Sequence, residues 1–86
     1  MEFEFDSTKS MSNLAKHGID FHEAKLCWRD PKVLIVKAKK IIEPRWIAIA
    51  RIDRTHWSAI FTYRGERIRI ISVRRSRSKE IALYES

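Results

Sequence analysis

Residues 64–77 read RGERIRIISVRRSR and interleave six arginines with isoleucine and valine. This alternation predicts a β-strand over 67–73, because successive side chains of a strand point to opposite faces of a sheet. A strict period of two places on one face Arg67, Arg69, Ile71 and Val73, and on the other Ile68, Ile70 and Ser72. Guanidinium groups at fixed spacing suit phosphate recognition. Solvated arginines that protect an edge strand are the alternative.

Three further β-rich runs, 33–36, 46–52 and 57–63, precede this one. The turns at 53–56 and 64–66 are too short for parallel crossovers, so the four runs predict an antiparallel meander. Residues 76–80 resemble the start of a final helix. The expected fold is therefore α+β, with two N-terminal helices, a four-stranded antiparallel sheet and a C-terminal helix in one domain, 1–86.

The first third of the chain carries the signals of the two helices. Asp6 can cap the first, Gly18 can close it, and its apolar positions Met11, Leu14 and Ala15 fall on one face. The second begins with the capping-box spacing of residues 20 and 23 and ends at the Asp-Pro pair 30–31.

Charge is distributed unevenly along the chain. The net charge is +7, with −2 in residues 1–30 and +9 in residues 31–86. A basic sheet region suggests a polyanion partner, RNA or DNA, or an acidic protein that covers the basic face. The single cysteine cannot form an internal disulfide, and no signal peptide or membrane-spanning run is visible. We therefore expect a cytoplasmic protein without membrane association.

Cleavage of RNA without a metal requires proton transfer and stabilisation of charge on phosphorus. The arginines could supply the stabilisation, and Tyr63, Tyr84 or a histidine could transfer protons. The three tryptophans at 28, 46 and 57 could stack on bases or pack in the core. The lysines at 32, 37, 39 and 40 form a solvated face or extend an RNA track. The histidines show no metal-ligand spacing, so we expect neither metal nor cofactor.

An ordered set of residues along nearly the whole chain carries a family resemblance. Its members are Phe5-Asp6, Lys9, Asn13, Lys16-His17-Gly18-Ile19, Phe21, Glu23-Ala24, Asp30-Pro31, Glu43, Arg45-Trp46, Ile49, Thr62, Arg64-Gly65, Arg69-Ile70-Ile71-Ser72, Arg74, Glu80 and Tyr84. This set resembles the BrnT family of bacterial type II toxins, a branch of the RelE-like ribonuclease fold. The resemblance implies an endoribonuclease that arrests growth by cutting RNA. It also implies a BrnA-like antitoxin that blocks the toxin and alone contacts DNA, at their shared operon.

The resemblance also implies roles for individual residues. The candidate catalytic residues are Arg64, Arg69, Arg74, Tyr84 and His17, and Lys16 is a candidate RNA-binding residue. Independently of the resemblance, the basic run adds as candidate RNA-binding residues Arg67, Arg75 and Arg77. Glu43 is a further candidate. Two other interpretations stay open: a basic nucleic-acid-binding module without catalysis, and a toxin-fold protein that has lost activity but still binds an antitoxin.

Overall fold

The computed structural model describes residues 1–39 and 42–86, in which a five-stranded sheet is covered by helices. The strands are β1 (Glu2–Glu4), β2 (Leu34–Lys37), β3 (Trp46–Ile52), β4 (Thr55–Arg64) and β5 (Arg67–Arg75). The helices are α1 (Ser7–His17), α2 (Phe21–Ala24), a 3₁₀ helix (Lys25–Arg29) that continues α2, and α3 (Ser78–Glu85). The strand order is β1-β5-β4-β3-β2. Lys40, one of the lysines of the predicted basic hairpin, lies outside the described residues.

The α+β class is confirmed, and β2 to β5 form the predicted antiparallel meander. The prediction of a purely antiparallel, four-stranded sheet is wrong, because β1 adds to β5 in parallel orientation. The alternation of residues 2–4 explains the addition. Phe3 turns toward the helices and meets the ring of Trp28 at 5.1 Å, while Glu2 and Glu4 lie opposite Arg67 and Arg69.

A β-bulge in β5 corrects the predicted division of its side chains between the two faces. Ile60 pairs with Ser72 and Phe61 with Ile70, so Ile71 has no opposite residue. An extra residue reverses the alternation beyond it. Val73 is consequently buried with Ile68 and Ile70, and not on the arginine face as a strict period of two predicts.

The main core lies between one face of the sheet and the layer formed by α1, α2 and the 3₁₀ helix. It is built from Ile19, Phe21, Ala24, Cys27, Ala48, Ala50, Ala59, Phe61, Ile68, Ile70 and Val73. All three tryptophans pack against this cluster, which favours the core-packing alternative over base stacking. We call the opposite side of the sheet the α3 face, because α3 lies on part of it.

Helix α1 has the predicted ends but not the predicted buried side. The Asp6 carboxylate accepts the backbone N–H of Thr8 at 2.8 Å, and Gly18 closes the helix at φ 77°. Met11 and Leu14 are exposed, whereas Asn13 and a serine at position 10 are buried. The Asn13 side-chain amide donates to the backbone C=O of Val73 and accepts from its backbone N–H. It therefore makes the hydrogen bonds that a neighbouring strand would make beyond the end of β1.

The second predicted helix begins where expected, because the Asp20 carboxylate accepts the backbone N–H of Glu23 at 2.8 Å. It changes to 3₁₀ geometry after Ala24. In α3 no residue is fully buried, so polar contacts contribute much of its attachment. Among residues 1–39 and 42–86, no helix is long and apolar enough to cross a membrane.

Candidate functional site

Three arginines of the β4–β5 hairpin converge on one carboxylate from β1. Arg69 Nη1 donates to Glu4 Oε2 at 3.1 Å, Arg67 Nη1 lies 3.6 Å from Glu4 Oε1, and Arg64 Nη1 lies 3.9 Å from Glu4 Oε2. Arg67 also contacts Glu2, with Nε 3.2 Å from Oε1. We call these five residues the Glu4 cluster. The parallel pairing of β1 with β5 creates it, since Glu4 and Arg69 are register partners.

The guanidinium groups of the Glu4 cluster remain available to a ligand. The side chains of Arg64 and Arg67 are 62% and 59% exposed, and that of Arg69 is 32% exposed. A guanidinium carries five N–H donors, and Arg69 donates one hydrogen bond, to Glu4, within the described residues. The cluster therefore retains donors with which it could bind an anionic oxygen.

Arg74 occupies a different part of the α3 face. Its Nη1 and Nη2 atoms donate to the two carboxylate oxygens of Glu80 at 2.8 and 2.9 Å. Arg74 is five residues from Arg69, or roughly 16 Å along an extended strand. The structure therefore does not bring Arg74 into the Glu4 cluster, and its bidentate contact attaches α3 to β5.

Glu80 accepts two more hydrogen bonds, from Ser58 Oγ at 3.0 Å and from the backbone N–H of Arg77 at 2.7 Å. The hydrogen bonds from Arg74 are the main cause that lowers the pKa of Glu80 to about 2. The same contact raises the pKa of Arg74. Arg77 thus contacts Glu80 through its backbone N–H.

Tyr84 forms a second attachment of α3. Its hydroxyl donates to Asp30 Oδ2 at 2.6 Å, and the same oxygen accepts the backbone N–H of Arg51 at 2.8 Å. Burial and the neighbouring carboxylate raise the pKa of Tyr84 to about 12. Burial would raise the pKa of Asp30, but hydrogen bonds from Arg51, Tyr84 and Lys32 outweigh it and hold that pKa below its usual value. At neutral pH Tyr84 is thus a hydrogen-bond donor to Asp30.

The remaining candidates are dispersed. Lys16 and His17 lie at the C-terminal end of α1, beside a cleft against β5. Arg75 lies over the ring of Trp57 at 5.8 Å, a cation–π contact. Glu43 is exposed, and its Oε2 lies 3.7 Å from Arg45 Nη2. Across residues 1–39 and 42–86, no three metal-ligating side chains come together.

Comparison with known families identifies the family of this chain. Residues 5–80 match the family described as a ribonuclease toxin, BrnT, of type II toxin-antitoxin systems. This chain belongs to the BrnT family. The family assignment makes it a ribonuclease toxin of a type II toxin-antitoxin system, which acts with an antitoxin partner and on RNA. A comparison with curated proteins finds no significant match.

The BrnT match includes the arginines of β5 and Glu80, whereas Glu4 and Tyr84 lie outside it. Three carboxylates organise the arginines and α3: Glu4, Asp30 and Glu80. Sequence reasoning did not single out Glu4, and it included Asp30 and Glu80 in the family resemblance without a role for either. One signal could have revealed the first: the acidic-apolar alternation of residues 2–4 is complementary to the basic-apolar alternation of residues 67–70. The other two form their contacts through the tertiary fold.

Proposed function

We propose that this BrnT protein is a metal-independent endoribonuclease whose Glu4 cluster binds the phosphate that is cut. The observation that supports the proposal is the convergence of three partly exposed guanidinium groups on Glu4. The proposal extends to growth arrest in the cytoplasm and to neutralisation by a BrnA-like antitoxin. DNA would be contacted only through that antitoxin.

Arg69 is central to the proposed chemistry. Attack of the 2′-hydroxyl on phosphorus adds negative charge to the nonbridging oxygens, and fixed guanidinium donors stabilise that charge most where they are preorganised. Arg69 is the least exposed arginine of the cluster and is held by Glu4 at 3.1 Å. Arg64 and Arg67 are more exposed and would contact the phosphate from the solvent side.

Arg74 and Tyr84 have a different role in this proposal. Both bind carboxylates within the protein, Arg74 to Glu80 and Tyr84 to Asp30, and both contacts attach α3 to the sheet. We propose that they position α3 next to the part of the α3 face that α3 leaves uncovered. RNA would not contact Arg74 or Tyr84 directly.

The test compares cleavage of a labelled RNA by the wild type, by Arg69→Ala and by a control, Arg54→Ala. Arg54 lies exposed in the turn between β3 and β4, so its loss removes the same charge away from the Glu4 cluster. We expect Arg69→Ala to slow cleavage about 100-fold or more, as the loss of a preorganised donor does elsewhere. The control should cleave at the wild-type rate, with and without a chelator.

Equal rates for wild type and Arg69→Ala would contradict the assignment, and loss of cleavage in chelator would contradict metal independence. Binding of RNA without any product would favour the noncatalytic binding module. Induced expression of the same variants tests growth arrest, which should follow cleavage. Coexpression with the antitoxin of the same operon should restore growth.

A further inference from the structure

A second basic site lies along the edge of β5 that β1 occupies, just beyond the point where β1 ends. It is a cleft between α1 and β5, which we call the α1–β5 cleft, lined by Lys9, Ser12, Lys16, His17, Ile71 and Ser72. Lys9, Ser12 and Lys16 follow one another at helical spacing, so they form a stripe on one side of α1. The two lysines are seven residues apart, roughly 10 Å along the helix axis.

The charge of this cleft is not compensated. Within the described residues, neither Lys9 nor Lys16 nor His17 lies within 4.0 Å of a carboxylate oxygen, and none of the side chains that line the cleft is acidic. The Glu4 cluster differs, since its arginines contact Glu2 and Glu4. The α1–β5 cleft thus combines two lysines, two hydroxyls and apolar surface from Phe21 and Ile71.

Helix stability explains only part of this arrangement. Lys16 and His17 are favourable at the C-terminal end of α1, where the helix dipole attracts cations. Lys9 lies in the first turn, where the dipole disfavours a cation, and the Asp6 carboxylate at the N-cap, which accepts the backbone N–H of Lys9 at 3.2 Å, offsets part of that cost. A ligand anion in the cleft would account for a lysine at that position.

The cleft lies beside the bulge in β5. Strand β1 ends opposite Arg69, and Asn13 takes its place opposite Val73. The bulge at Ile71 lies between these two points, and Ile71 and Ser72 line the recess beside α1. Bulges are frequent next to functional sites, because they redirect side chains. Ser72 is three residues from Arg69, roughly 10 Å along the strand.

We propose that the α1–β5 cleft binds a second backbone phosphate of the same RNA strand, with Lys9 and Lys16 as its cationic contacts. The inference rests on the proposed function, since it extends the RNA path from the Glu4 cluster along β5. The chemistry recognised is a phosphate group, and Ser12 and Ser72 would donate further hydrogen bonds to its oxygens.

The test measures binding of a fluorescent 2′-O-methyl RNA oligonucleotide, which cannot be cleaved, as a function of salt. Each phosphate that is no longer neutralised on a single strand reduces the salt slope by about 0.7, so Lys9→Gln/Lys16→Gln, which removes both contacts to one phosphate, should reduce it by about 0.7. If both proteins bind equally at 1 M salt, this corresponds to roughly 5-fold weaker binding at 0.1 M. The control Arg54→Gln/Lys79→Gln removes two charges elsewhere, and Lys9→Arg/Lys16→Arg should retain wild-type binding.

An unchanged slope in the Lys9/Lys16 variant would overturn the proposal. Inorganic phosphate provides the second arm: if it binds the wild type but not the variant, while the oligonucleotide slope is unchanged, the cleft binds a free anion and the RNA assignment fails. Cleavage by the same preparations separates the two hypotheses. If the Lys9/Lys16 variant keeps the wild-type salt slope and cleavage depends on Arg69, only the cleft proposal is rejected. If the variant has a reduced salt slope and the wild type cleaves no RNA, only the proposed ribonuclease site is rejected.

Discussion

Replacement of Glu80 by glutamine should destabilise the fold, because Glu80 accepts four hydrogen bonds, three that attach α3 to the sheet and one that caps α3. Two come from Arg74, and the others come from Ser58 and from the backbone of Arg77. The side chains of Arg74 and Glu80 are 19% and 13% exposed. Glutamine preserves the shape but leaves the Arg74 charge without a counterion, and loss of one partner of a buried pair costs about 3–5 kcal/mol.

The depressed pKa of Glu80 gives a second measure of the same effect. A fall from 4.5 to about 2 corresponds to roughly 3 kcal/mol at 1.36 kcal/mol per pKa unit. Because solvent reaches one side of the pair, we reduce this value and expect a loss of about 2 kcal/mol. In a domain of this size, that should lower Tm by roughly 8–16 °C.

Denaturant unfolding of wild type and Glu80→Gln at several pH values provides the assay. The folded-state pKa of Glu80 is lowered, so its stabilisation is fully present above about pH 4.5 and is lost as the pH falls toward 2. The difference in unfolding free energy between the two proteins should therefore disappear over that interval. Glu66→Gln, in the exposed β4–β5 turn, is the matched control and should change stability by less than about 0.5 kcal/mol.

Two results would refute this reasoning. One is a change below about 0.5 kcal/mol for Glu80→Gln at neutral pH, which would mean that other contacts hold α3. The other is a difference that stays constant down to pH 2, which would mean that the carboxylate charge is not the cause. A double-mutant cycle with Arg74→Ala should show a coupling free energy of about 1 kcal/mol or more between the two residues.

Three further outcomes follow from individual contacts. Asn13→Ala should destabilise by about 2–3 kcal/mol in denaturant unfolding, because it leaves the buried backbone groups of Val73 without partners. Ultraviolet titration should show the Tyr84 phenol ionising at a pKa of about 12. Because this folded-state pKa is raised, Tyr84 should stabilise the fold below pH 10 and lose that contribution as the pH rises through 12, and Tyr84→Phe should abolish the late titration. Cys27 is fully buried and burial raises its thiol pKa to about 12, so a thiol reagent at pH 8 should react only after unfolding.

The elements of the fold that local signals determine were predictable. The cap at Asp6, the closing Gly18 and the capping contact of Asp20 are set by residues within one turn, and all three were predicted. The strand 46–52 was also predicted with its observed bounds. Such features depend on neighbours in sequence, which a pattern of residues records directly.

Features that depend on tertiary partners were not predictable in the same way. The bulge at Ile71 is defined by the pairing of β5 with β4, and it alone moved Val73 from the arginine face to the core. Asn13 appeared unsuited to burial until Val73, sixty residues later, supplied its hydrogen-bond partners. A local sequence pattern assigns polar residues to the surface. Such a pattern therefore does not predict a buried asparagine whose side chain makes the hydrogen bonds of a neighbouring strand.

The site shows the same division between local pattern and tertiary contact. The sequence identified the arginines of β5, but not which carboxylate holds each of them. Glu4 reaches Arg69 across 65 positions, from the first strand, and Glu80 reaches Arg74 from the last helix. Both ends of the chain thus bring an acid to the same strand, at points on either side of the bulge.

Under the proposed function, this placement gives β5 two roles. Beyond the bulge, Glu80 satisfies both ends of the Arg74 guanidinium and leaves it little capacity for a ligand, so that arginine contributes mainly to stability. Before the bulge, three arginines share two carboxylates, Glu4, which all three contact, and Glu2, which only Arg67 contacts, so each retains donors while repulsion between them is reduced. A preorganised but incompletely satisfied arginine group is suited to a phosphate that must be bound and released. The ratio of carboxylates to guanidinium groups, and not the number of arginines, therefore distinguishes the candidate RNA-contacting part of β5 from its structural part.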